Sequence, residues 1–236
     1  MRSYLEMSLQ LEQELASATA GDPVPSENDL AERFRVSRLT ARAALQELER
    51  RHVVRRVQGR GTFVTRRLDY RITDEGPASF TEIVRAAGGA PVTTTDGLEL
   101  RLAAPEERRA LALGRRDRVV ELRRTRTLDG QPVGVSCSVL PVSLVPRLED
   151  HLADGGSLYQ VLVDVYGLDP RRAWFRCEIV AAPREVTDRL ELRGRPELLH
   201  SEGRLESKRL GAPIELNDGW LRTDVFNVVV EIGTFR

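Results

Sequence analysis

Read for periodicity, the first seventy residues set short helical stripes between turn residues. Leu5, Leu9 and, less regularly, Leu11 and Leu15 predict an amphipathic helix that stops at Gly21-Asp22-Pro23. Ser26 precedes Glu27 to Phe34 as an N-cap, with Asp29 placed to reach back in a capping box, which predicts a short second helix. Ser37 is a second N-cap and opens a third helix over residues 38–49. At about 100° per residue, Ala41, Ala44, Leu45 and Leu48 fall on one side of it and Arg38, Arg42, Gln46 and Glu49 on the other. One face packs and the other is free to meet a surface. Val53 to Val57 and Thr62 to Thr65 then read as two strands around the glycine-bearing turn Gln58-Gly59-Arg60-Gly61.

Residues 67–77 show no clear periodicity and are expected to link a domain at 1–66 to a second at 78–236. The second domain mixes elements: helices from Phe80 to Ala87, after Pro105, from Leu158 to Tyr166 and after Pro183, and strands from Leu98 to Leu102, Val119 to Leu128, Pro132 to Leu140, Arg172 to Ala181 and three more from Leu198. Hairpins with sparse helices predict the α+β class, built on an antiparallel sheet. Along the strand from Val119, alternation puts Val120, Leu122, Arg124, Arg126 and Leu128 on one face. Two guanidinium groups on an apolar face must be neutralised, either by acids of the same domain or by an anionic ligand that their planar forks fit. Both alternatives stay open on the residues alone.

Composition narrows the class. A chain of 236 residues has room for two domains that each bury a core. It is 41% hydrophobic and 31% charged, and no run approaches the roughly 18 apolar residues of a membrane span. The N-terminal segment lacks the apolar stretch of a secretory signal, so a cytoplasmic protein without membrane contact is expected. Cys137 and Cys177 are too few for a disulfide framework and are expected to be reduced, structural thiols. With His52, His151 and His200 scattered, no metal-ligand spacing is present, and neither metal nor cofactor is expected.

Net charge is zero, yet the charge is segregated: residues 33–67 hold eleven arginines against Glu47 and Glu49, whereas residues 68–236 sum to −3. A local basic patch is an electrostatic footprint for phosphate. Arg38 and Arg42, one turn apart near the start of the third helix, are placed where guanidinium groups reach guanine edges or flanking phosphates. Gly59 and Gly61 permit positive φ and close backbone approach, and Arg60 between them can enter a minor groove. The run PSENDLAERFRVSRLTARAALQELERRHVVRRVQGRGTFV resembles the winged helix-turn-helix of the GntR family of bacterial regulators. The resemblance implies that Arg38 and Arg42 read bases, that Ser37 and Thr40 touch phosphates, and that Gln58, Gly59, Arg60 and Gly61 form a groove-reaching wing. It also places Ser26 and Asn28 at the DNA, with Asn28 standing where many members carry arginine.

In the second domain SFTE at Ser79 to Glu82, RTRTLDGQPV at Arg124 to Val133, SLYQVL at Ser157 to Leu162 and PIE at Pro213 to Glu215 recur in the order of the UTRA effector domain of the HutC subfamily. This resemblance implies a chorismate-lyase-like fold, and a homodimeric repressor whose two winged helices bind a palindromic operator is expected. It further implies an anion held by Arg124, Arg126, Ser157 and the Ser79, Phe80 and Thr81 turn, with more contacts from Ser136, Tyr159 and Glu215. Amino-sugar-binding members commonly carry glutamate at the place of Ser136 and tyrosine at that of Leu221, so the departures favour another sugar phosphate, a phosphonate or an organic acid. The alternative, a lyase-like enzyme on the second domain, finds no nucleophile, base and orienting acid in the sequence.

Overall fold

The computed structural model describes residues 3–230 apart from 19–20, 58, 66, 74–75, 78 and 153–154. The chain divides after Leu68 into two units.

The first unit opens with α1 (Tyr4–Leu15), capped by the Ser3 hydroxyl, which accepts the Glu6 N–H. Its inward stripe is Met7 and Leu11, with Leu15 partly buried. The expected Leu5 and Leu9 are 48% and 53% exposed. Both rows have i, i+4 spacing; the row that α3 meets is the buried one, and periodicity alone does not name it. Strand β1 (Pro23–Val24) is too short to alternate and was not anticipated. Then come α2 (Glu27–Phe34), α3 (Arg38–Arg50), β2 (Val54–Val57) and β3 (Gly61–Val64), with β1 and β2 flanking β3 antiparallel. Arg35, in the left-handed region at φ 54°, ends α2 and allows the tight turn to Ser37. The expected inner face of α3 is the core: Ala41, Ala44, Leu45 and Leu48 are all buried against Leu30, Phe34 and Val54. Burial of each such leucine is worth about 1.5–3 kcal/mol, which is what holds α3 with its arginine side outward.

The second unit begins within β4 (Leu68–Thr73) and contains β5 (Gly76–Pro77), α4 (Phe80–Ala86), β6 (Pro91–Leu102), α5 (Pro105–Leu111), β7 (Arg118–Leu128) and β8 (Gln131–Pro141). It continues with a short 3-10 turn (Leu148–Asp150), α6 (Leu158–Asp164), β9 (Pro170–Ala181), α7 (Arg184–Arg189), β10 (Glu197–Ser207), β11 (Ala212–Leu221) and β12 (Phe226–Val230). One sheet runs β6-β7-β8-β11-β10-β9 with every pairing antiparallel, and a smaller one runs β12-β4-β5. Residues 68–73 are therefore a strand, not part of an aperiodic linker over 67–77; the partner that orders them, β12, lies far along the chain. Strand β6 starts at Pro91 rather than Leu98, because its threonine-rich first half takes its register from β7, with Thr93 opposite Arg126. One face of the large sheet buries Val120, Leu122, Leu140 and Leu205 under Leu158 and Leu162 of α6. The other is covered by α5, with Leu111 near Val119 and Val139, and by α7, with Leu190 near Val135 and Leu198. Both cysteines are free. Cys137 is half-buried, but Cys177 is exposed and has no packing role, since it stands on the outermost strand of the large sheet.

Candidate nucleic-acid interface and anion site

The starts of α2 and α3 are both fixed by capping. Ser26 donates to Asp29 Oδ2 at 2.7 Å and accepts the Asp29 N–H at 3.3 Å, while Ser37 accepts the Thr40 N–H at 3.1 Å and lies 2.8 Å from the Thr40 hydroxyl. Asn28 is exposed beside them. Arg38 and Arg42 project from the solvent side of α3, but Glu27 of α2 holds both, accepting from Arg38 Nε at 3.2 Å and Arg42 Nε at 3.0 Å. Arg56 of β2 approaches the same carboxylate at 3.5 Å. The hydrogen bond from Arg42 is the main influence holding the Glu27 carboxyl below its usual range. Glu27 was missed in the sequence because the pairing crosses two helices, and only Arg38 and Arg42 are helical neighbours of one another. In the wing, Gly59 at φ 73° and Gly61 at φ 115° occupy the region glycine favours, and the exposed Arg60 guanidinium is 5.9 Å from the Phe63 ring. Gln58 lies outside the described residues.

Glu27 engages both guanidiniums through Nε, the nitrogen that a bidentate bond to a guanine edge does not require. Glu27→Gln is expected to lower the ratio of specific to random-DNA affinity by about tenfold while strengthening random-DNA binding. Anisotropy titrations on both duplexes over a range of salt measure it, and an unchanged ratio counts against an orienting role.

The expected anion residues come largely from one face of the large sheet. Arg124 is opposite Ser136 on β8, which is opposite Gly219 on β11; Arg126 is opposite Gly134. Arg124 is 5% exposed, its Nη1 donates to the Gly156 carbonyl at 3.5 Å just before Ser157, and its Nε has no partner. Burial, with Arg126 adding to it, pushes the Arg124 guanidinium down to about 10, still charged at neutral pH. Arg126 lies over the Phe80 ring at 5.6 Å. Ser79 caps α4 by position but makes no side-chain cap bond, and Thr81 beside it is half-buried. Ser157 caps α6, accepting the Gln160 N–H at 3.4 Å. Ser136 Oγ and both carboxylate oxygens of Glu215 are buried without a hydrogen bond of regular geometry. Burial raises the Glu215 pKa against the pull of the Ser138 hydroxyl and of Arg124, Arg126 and Arg172. Burial likewise raises the Tyr159 phenol, with Glu215 and Tyr70 adding to it. Leu221 packs on this face over Gly134, where an added Cβ would meet its side chain at 2.6 Å. A depression of about 500 Å³ at α7, lined by Arg184, Thr187, Asp188, Leu192, Gly194 and Arg195, includes none of these residues.

A raised carboxyl pKa has a definite sign. Between the unfolded value, about 4.3, and the higher folded value, the folded state keeps a proton that the unfolded chain releases, so stability falls as pH rises through that window. Glu215→Gln removes this titration. The difference in melting temperature between variant and unliganded wild type is expected to grow in the variant's favour as pH rises from about 4. A difference independent of pH would contradict the assignment.

On the opposite face, His200, Glu202 and Asp218 bring ligand-type atoms within 4.8 Å of one another and could hold a metal ion. His200 Nε2 is 2.7 Å from Asp218 Oδ2, and the imidazole stacks on Trp220 at 4.2 Å. The absence of a ligand spacing in the sequence did not foresee this group, since adjacent strands assemble it.

The comparisons with known proteins follow the same division. The UTRA domain family matches residues 86–227, and the family of bacterial regulatory proteins named gntR matches residues 4–64. The HTH-type transcriptional repressor NagR of Bacillus subtilis (strain 168) is 30% identical over 180 residues, 75% of this chain and 72% of that protein. The probable transcriptional regulator PhnF of Escherichia coli (strain K12) is 29% identical over 237 residues, 97% and 94% of the two. Among solved structures, PhnF from Mycobacterium smegmatis shares the fold at a TM-score of 0.68 and 24% identity, covering 97% of this chain and 100% of that one. No helix among the described residues is long and apolar enough to cross a membrane. With its capped, arginine-faced helix in the first unit and its antiparallel sheet in the second, the chain belongs to the GntR family of bacterial transcriptional regulators, of the kind that carries a UTRA effector domain, and is not an enzyme.

Proposed function

We propose that the chain is a cytoplasmic, homodimeric repressor whose paired winged helices bind a palindromic operator, and whose DNA affinity a small anionic metabolite controls from Arg124 and Arg126. Arg38 and Arg42 read base edges, Ser37, Thr40, Ser26 and Asn28 lie along the backbone, and Gln58 to Gly61 enter the adjacent groove. The observation that carries the effector half is the buried Arg124 with an unpartnered Nε beside Arg126, two guanidiniums on one face with no acid in an ion pair with either among the described residues. Of the two alternatives raised by the sequence, this supports the ligand over the structural ion pair. Ser79, Phe80, Thr81, Ser157 and Tyr159 complete the anion's surroundings, with Ser136 and Glu215 further in. Buried Ser136 and Leu221 favour a sugar phosphate other than an amino sugar, a phosphonate or an organic acid.

Twofold symmetry of the dimer requires half-sites whose spacing matches it. An effector changes operator affinity only by binding the two arrangements of the dimer unequally, on the usual scale of about 1–3 kcal/mol. The experiment is selection of binding sites from random DNA, followed by sedimentation of the complex. A palindrome bound by two protomers is expected; binding without sequence preference, or by one protomer, counts against it.

A further inference from the structure

The face of the large sheet opposite Arg124 carries a second group of polar side chains. Glu202 of β10 stands directly opposite Asp218 of β11, and like charges so placed are destabilising unless a cation answers them. Arg176 of β9 is opposite Glu202 on the other side, but its guanidinium approaches Glu178 at 3.5 Å instead. Glu202 is half-buried and has no hydrogen bond or ion pair among the described residues. His200, two residues before it, shares the face and turns Nε2 to Asp218 Oδ2 at 2.7 Å. A carboxylate only accepts, so that nitrogen carries the proton, which serves Asp218 and leaves Glu202 unanswered.

The imidazole is held from two sides. Trp220 stacks on it at 4.2 Å with the planes 20° apart, and Glu178 Oε1 lies 3.7 Å from Nδ1. A carboxylate behind one ring nitrogen fixes a histidine that ligates through the other. The His200 side chain is 16% exposed and that of Asp218 48%, which gives the group a fixed inner ligand and a path from solvent. One ligand atom from each of His200, Glu202 and Asp218 already lies within 4.8 Å of the other two. Tetrahedral bonds of about 2.0–2.2 Å hold such atoms roughly 3.4 Å apart, a shift within reach of the two carboxylate side chains.

We propose that His200 Nε2, Glu202 and Asp218 bind one divalent first-row transition-metal ion, zinc being the fitting case, with solvent completing its coordination. Binding releases the Nε2 proton to water and puts a dication between the two carboxylates. The imidazole ligand favours zinc, cobalt or nickel over magnesium and calcium, which prefer oxygen ligands. The site lies across the sheet from the anion site and does not depend on it.

The test uses the full chain, stripped with a chelator and dialysed. Zinc chloride is titrated by calorimetry in excess magnesium, and cobalt chloride by visible absorption. One ion per chain is expected, with the d–d bands of four- or five-coordinate cobalt and no thiolate charge-transfer band, which separates this group from Cys137 and Cys177. Glu202→Gln, which breaks no existing pair, and His200→Phe, which keeps a ring on Trp220, are each expected to weaken zinc binding by at least about tenfold, the loss that even a partner behind a ligand causes. Zinc failing to bind at millimolar concentration, magnesium competing on equal terms, a thiolate band, or Glu202→Gln binding zinc as the wild type does overturns the proposal.

Discussion

Arg124→Met is expected to abolish the response to phosphate-bearing effectors while leaving operator affinity intact. Arg124 is buried, tethered through Nη1 to the Gly156 carbonyl, and unpartnered at Nε. A desolvated anion that loses such a donor is left unpaired, a loss of about 2–5 kcal/mol for buried charge pairs, or roughly thirtyfold to several thousandfold in affinity. The unliganded fold has little to lose by the change. An uncompensated buried charge is unfavourable, and methionine of similar length fills the space, so the melting temperature is expected to hold or rise. Thermal-shift titration with phosphate monoesters and a gel shift on operator DNA separate the outcomes. Loss of both binding activities points to misfolding, and retention of the shift removes Arg124 from the site.

Arg38→Ala and Arg42→Ala carry the second large effect. Each is expected to weaken operator binding by roughly fivefold to 150-fold, and the double variant to approach its affinity for random DNA. Neither side chain supports the fold: α3 is held by Ala41, Ala44, Leu45 and Leu48 on its other face, and exposed pairs such as those with Glu27 contribute little to stability. Unchanged melting curves with collapsed operator affinity are the expected pair of results. The salt dependence adds a check, because a base contact leaves the slope of affinity against salt nearly unchanged and a phosphate contact lowers it by about one. Operator titrations indistinguishable from wild type for both variants would remove α3 from the interface.

These two sites were legible to different degrees. The face of α3 could be read because its packing and its solvent side alternate within thirteen residues of one helix. The arginine pair of β7 could be read because strand alternation puts Arg124 and Arg126 on the same side as Val120 and Leu122. Glu27, which accepts hydrogen bonds from both α3 arginines, gave no local signal.

The limit follows from where each preference is stored. Caps at Ser26 and Ser37, the inward face of α3, the glycines of the wing and the hairpin from β7 to β8 are set by neighbours a few residues apart, and the chain specifies them wherever it lies. Strand β4 exists because β12 pairs with it, β6 extends because β7 does, and Met7 rather than Leu5 turns inward because α3 is there to receive it. Contacts between Glu27 and two arginines of another helix and between His200 and Asp218 depend on register and packing angle. Those come from burying the whole apolar face at once, and no single segment encodes them.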